Sequence, residues 1–153
     1  MKLQDAYYDI VRDTVDMILN RISDPGFLNQ YERMDPIAFA KSVFTVRLNL
    51  GRQLGTSTTI SRLANENDVI ISRSTHDVDT MKQRLAQWHA LGQAEVKTPS
   101  TGLSQSPDSN GYRTVWIDTP TYFQEGQVQR IYEIYAPMKR DQKEPTLFVL
   151  LGE

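Results

Sequence analysis

Between Ser74 and Gly92 the chain marks both ends of one amphipathic helix, and this segment limits the folds open to it more than any other. Ser74-Thr75-His76-Asp77 has the form of a capping box, with Ser74 reaching forward to a backbone amide and Asp77 reaching back. Val78, Met81, Leu85 and Trp88 recur at helical spacing and turn one face inward. Gly92, just past Leu91, ends the helix. Thr75, His76, Asp79, Thr80, Gln83 and Arg84 are left facing outward.

The neighbours of this helix suggest its setting. Thr58 or Thr59 caps a short helix in which Ile60, Leu63 and Ala64 face inward, and Asn65 to Asp68 end it. Val69-Ile70-Ile71 is too short for a helix and too apolar for an exposed loop, so it reads as a buried turn. After Gly92, Ala94 to Lys97 is strand-like. Pro99 to Tyr112 holds two Pro, two Gly and four Ser and reads as a loop. Arg113 to Asp118 alternates as a second strand, and the two strands are expected to pair as an antiparallel hairpin.

Helical segments flank this middle. Leu3 to Ile22 carries apolar residues at spacings of three and four, and Ser23 to Gly26 stop it. Asp35-Pro36 opens another helix, with Ile37, Ala40, Val43, Phe44 and Leu48 inward, although Val46, Leu48 and Leu50 also alternate like a strand. Gln127 to Arg140 has helical spacing, and Thr146 to Leu151 reads as a short strand. The expectation is one domain over residues 1–153. Residues 1–55 form N-terminal helices, 56–119 the central motif, and 120–153 a C-terminal helix and strand.

The order of helix, short helix, tight turn, capped helix, strand, loop and strand resembles the winged helix-turn-helix superfamily. The likeness rests on Ile60-Ser61-Arg62-Leu63-Ala64, on Leu85 to Gly92, and on Ala94-Glu95-Val96 with Arg113 to Ile117 as wing strands. With its flanking helices the chain is also similar to dimeric MarR-type regulators. Those carry an Asp-x-Arg pair in the wing, whereas Asp108 and Arg113 here stand further apart. The resemblance implies a mainly α fold with a small antiparallel β wing. It also implies sequence-dependent binding of duplex DNA by a homodimeric transcriptional regulator, with helix 74–91 in the major groove. Thr75, His76, Thr80, Gln83 and Arg84 would then face bases. Arg52, Arg62, Arg73 and Lys82 would hold phosphates, with Lys97 and Arg113 at the wing base.

Charge is compatible with this reading. Residues 45–113 carry 8 basic and 6 acidic side chains, while residues 1–44 carry 5 and 7 and residues 114–153 carry 4 and 6. Only the middle third is net positive. Asp77 and Asp79 oppose the reading, because acids at the leading end of a recognition helix repel phosphates. A second reading is therefore a winged-helix module for protein interaction, or a replication or plasmid-maintenance factor. In that reading residues 146–151 offer an edge strand to a partner sheet. No enzyme activity, cofactor or metal is expected, since the chain has no Cys and only two His, His76 and His89. An acidic N-terminus and the lack of long apolar runs suggest a soluble cytoplasmic protein.

Overall fold

Five short apolar runs lie side by side as parallel strands, and this arrangement replaces the expected winged helix. The computed structural model describes residues 3–49, 55–102, 111–138 and 144–152. The strands are β1 (Thr45–Leu48), β2 (Asp68–Ile71), β3 (Glu95–Lys97), β4 (Thr114–Asp118) and β5 (Leu147–Leu151). Their order across the sheet is β1-β5-β4-β2-β3, and every pairing is parallel. The helices are α1 (Leu3–Leu19), α2 (Pro25–Arg33), α3 (Pro36–Ser42), α4 (Thr56–Leu63), α5 (Thr75–Trp88), α6 (Pro99–Gly102) and α7 (Gln127–Tyr135).

The result is a doubly wound α/β fold. Val46, Ile70, Val96, Trp116 and Val149 point to one face, where they meet Val11 of α1, Phe27 of α2, Ile60 of α4 and Leu85 of α5. Val69, Ile71, Val115, Ile117, Phe148 and Leu150 point to the other face, against Ile131, Tyr132 and Tyr135 of α7. β2, β4 and β5 are thus covered on both sides, which explains their unbroken apolar runs.

Three expectations are corrected by this sheet. Val69-Ile70-Ile71 is the core of strand β2, not a buried turn. β3 and β4 form no hairpin, because β2 lies between them and pairs with both. β5 is an interior strand between β1 and β4, so its backbone is not an edge that a partner sheet could join. Strands from all three sequence regions share the one sheet.

Local helix signals fared better than strand signals. Asp35 caps α3 by accepting from the Ala38 amide at 3.0 Å. Ser74 caps α5 by accepting from the Asp77 amide at 3.3 Å, while the Asp77 carboxylate takes the Arg73 Nε bond instead of reaching back. Ser74→Ala is expected to cost about 1 kcal/mol of stability and Ser74→Gly only a few tenths. Urea unfolding checks this, and equal losses for the two variants would remove the cap from the account of α5. Trp116 is fully buried, but Trp88, expected inward, is 51% exposed. Its ring lies 5.0 Å from the Arg62 guanidinium, which also sits 3.7 Å over Tyr8. Among the described residues no helix is long and apolar enough to cross a membrane.

Candidate functional site

Parallel strands bring all their carboxyl ends to one edge, and the path of the chain opens a gap there. From β2 the chain passes through α5 to β3 on one side. From β4 it passes through α7 to β5 on the other. β2 and β4 are neighbours, so the connections diverge between them and leave a crevice, the usual ligand position in such sheets.

This crevice has a volume of about 270 Å³. Asp118, the last residue of β4, lies in it, and so do Ser57 from the first turn of α4 and Thr119 beyond β4. Ser57 Oγ donates to Asp118 Oδ2 at 2.6 Å, and Thr119 Oγ1 donates to Asp118 Oδ1 at 3.0 Å. Burial raises the Asp118 carboxyl above its ordinary 3.8, and Asp77 adds to the rise. The two hydroxyl bonds and the Arg84 charge act in the other direction. The acid therefore holds its proton more readily than an exposed one.

The backbone beside Asp118 is unusual. Thr119 has φ 54°, the only positive φ at a described non-glycine residue. A β-branched side chain avoids this region, so the surroundings must hold it there. Its amide donates to the Leu151 carbonyl at 2.8 Å, and its side chain packs on Gly152, where an added Cβ would come within 3.2 Å of Thr119 Oγ1. Ser72 follows the last residue of β2, and its amide donates to the Lys97 carbonyl at 2.9 Å. The Ser72 hydroxyl is buried with no hydrogen-bond partner among the described residues.

α5 supplies the cationic side. His76, Thr80 and Arg84 of α5 line the crevice with Arg73 just before the helix, and so does the Asp77 carboxylate. Arg73 Nε bonds Asp77 Oδ2 at 3.0 Å, so one arginine is already held by an acid. The α5 amino terminus points at the same place, and that end of a helix favours negative charge.

The sequence-derived site divides accordingly. Arg73, His76, Thr80 and Arg84 come together around a hollow at the carboxyl edge of the sheet. Thr75, Lys82 and Gln83 are exposed on α5 away from it. Arg62 is held between two rings. Lys97 pairs with Glu95 at 3.5 Å. Arg113 is at the opposite edge of the sheet, bonded to the buried Asp68. Arg52 lies outside the described residues. Asp118, Ser57 and Thr119 were missed. Their signal is a polar residue directly after an apolar strand or opening the next helix, and it acquires meaning only once the strands are known to be parallel.

No protein-family model matches the chain, and no curated protein matches it in sequence. The functional reading therefore rests on the geometry of the crevice. Among the described residues, no three His, Cys, Asp or Glu side chains gather as metal ligands would. A second hollow, about 640 Å³ and wide open, lies beside Arg47, Pro120 and Leu150. It gathers fewer ionisable groups than the crevice at Asp118.

Proposed function

We propose that the protein binds a small anionic metabolite at the carboxyl edge of its sheet, between β2 and β4. The observation that carries this reading is the convergence of Arg84, Arg73 and His76 with the buried Asp118 at the point where the connections diverge. The anionic group sits against Arg84 and the first turn of α5. Asp118, when protonated, adds a donor instead of a repelling charge. Drug-sized ligands occupy about 300–1,000 Å³. A hollow of 270 Å³ therefore suits a compact molecule bearing one phosphate or carboxylate.

The winged helix that would have presented residues 74–91 to a DNA groove is absent, since α5 is the crossover between two parallel strands. Thermal unfolding with inorganic phosphate, sugar phosphates, dicarboxylates and a random DNA duplex separates the readings. A cognate anion at a hundred times its Kd adds about 2.7 kcal/mol. For a chain of this size that is a rise of about 5–10 °C in Tm. Arg84→Ala is expected to abolish it. No anion effect, or an equal effect in Arg84→Ala, defeats the proposal. Stabilisation by duplex that survives Arg84→Ala returns the protein to nucleic-acid binding.

A further inference from the structure

α1 buries Tyr7, Val11 and Val15 in the core, yet it leaves a second apolar line uncovered. Leu3, Ile10 and Met17 are 75%, 46% and 63% exposed. They stand seven residues apart, so they run along one line of the helix, as the a positions of successive heptads do. Ala6 and Asp13 take the d positions beside this line, so one carboxylate lies within the seam itself, and Thr14 flanks it at e. Single exposed apolar residues are ordinary, but a line the length of a helix forms a helix-packing seam.

The charges beside this line indicate its occupant. With Leu3, Ile10 and Met17 at a, Asp9 and Asp16 fall at g, the position from which interhelical ion pairs select a partner. Asp13 at d adds a carboxylate that a basic side chain of the partner must meet, and Asp5 at c extends the acidic side. Arg12 lies 3.4 Å from Asp9 and 3.1 Å from Asp13 and offsets only part of this charge. A second copy of the chain fits poorly. In an antiparallel twofold pair of α1 helices the aspartate row faces its own image, because an isologous contact repeats one patch against itself.

We propose that this face of α1 seats a basic amphipathic helix from another protein. Apolar residues of that helix pack on Leu3, Ile10 and Met17, and its lysines or arginines lie opposite Asp9 and Asp16. Recognition by apolar anchors spaced along one helical face is a common docking mode.

The test uses the full chain and two synthetic three-heptad peptides with leucine at every a and d position. One has lysine at e and g, the other glutamate. Only the lysine peptide is expected to bind in a titration followed by fluorescence anisotropy, with affinity falling as salt rises. Ile10→Gln is expected to weaken binding about ten-fold or more, a change of about 1.4 kcal/mol or more. Thermal unfolding should leave its Tm unchanged, since Ile10 faces solvent. The double variant Asp9→Lys with Asp16→Lys should transfer preference to the glutamate peptide. Equal binding of the two peptides, binding of neither, or lysine-peptide binding indifferent to Ile10→Gln overturns the proposal. A dimer in solution that Ile10→Gln dissolves assigns the face to a second copy and overturns it equally.

Discussion

Asp68→Ala is expected to destabilise the protein by about 3–5 kcal/mol, the cost of leaving one member of a buried ion pair alone. The Asp68 side chain is fully buried at the start of β2. It accepts from Arg113 Nε at 3.1 Å and Nη2 at 2.9 Å, from Trp116 Nε1 at 3.2 Å and from the Asn65 amide at 3.0 Å. These bonds tie the end of α4, strand β2 and the entry to β4 to a single carboxylate. Alanine leaves the indole N–H of a fully buried Trp116 without an acceptor, at about 1–3 kcal/mol for that group alone. The Arg113 side chain is 27% exposed, so it recovers some hydration, which holds the loss within this range. Asp68→Asn keeps one acceptor and should fall between alanine and the parent. The measurement is urea unfolding with the slope unchanged and the midpoint lowered. A loss below about 1 kcal/mol would mean that water replaces the carboxylate at little cost, and the network would lose its structural role.

This network also shows why sequence reasoning reached the helices and missed the sheet. Asp35-Pro36 and Ser74 are read locally, because a cap acts within its own first turn. Asp68 and Arg113 are 45 residues apart, and nothing in either neighbourhood names the other. Parallel pairing has the same character. β2 meets β4 with Asp68 opposite Thr114, and no turn chemistry marks the match. Antiparallel hairpins do leave such marks, so the loop between β3 and β4 attracted a wing that the fold does not contain. The strongest strand signals were also disguised. Val69 to Ile71 is buried on both faces and loses the alternation that identifies a half-exposed strand, while Leu147 to Leu151 was read as a strand but not as an interior one.

The candidate site was half legible for the same reason. His76, Thr80 and Arg84 were recognisable as one polar face, since they share a helix, and Arg73 lies just before its cap. What that face meets depends on Ser57 and Asp118, which are 61 residues apart in sequence and joined only by the topology. The corrected fold keeps most of this face together and sets it around a hollow at the sheet edge.

Asp118→Asn is expected to make the protein more stable near neutral pH and to bind the anionic ligand more tightly. The sign follows from burial. The folded carboxyl is raised above its ordinary 3.8, so the native state keeps a proton that the unfolded chain has lost. The contribution of this group to stability is complete below the unfolded value and is lost as pH rises through the folded one. Asparagine carries no such loss, so its advantage should be absent in acid, grow across that window and then level off. Other carboxylates titrate nearby, but they are common to both proteins, and the difference between the two urea curves isolates Asp118. A difference that is constant with pH, or a less stable Asn variant at neutral pH, refutes the assignment. The affinity effect has the same origin. At an effective dielectric of about 20, like charges about 4 Å apart cost about 4 kcal/mol, so an ionised Asp118 in the crevice weakens anion binding by about ten-fold or more in Kd. Arg84 attracts the anion on a similar scale, so Arg84→Ala and Asp118→Asn should move Kd in opposite directions. If both weaken binding, Asp118 engages the ligand as an ionised acceptor, and the molecule in the crevice carries a donor or a positive charge at that end. A more stable Asp118→Asn variant would fit the pattern expected where a chain gives up stability for a binding site.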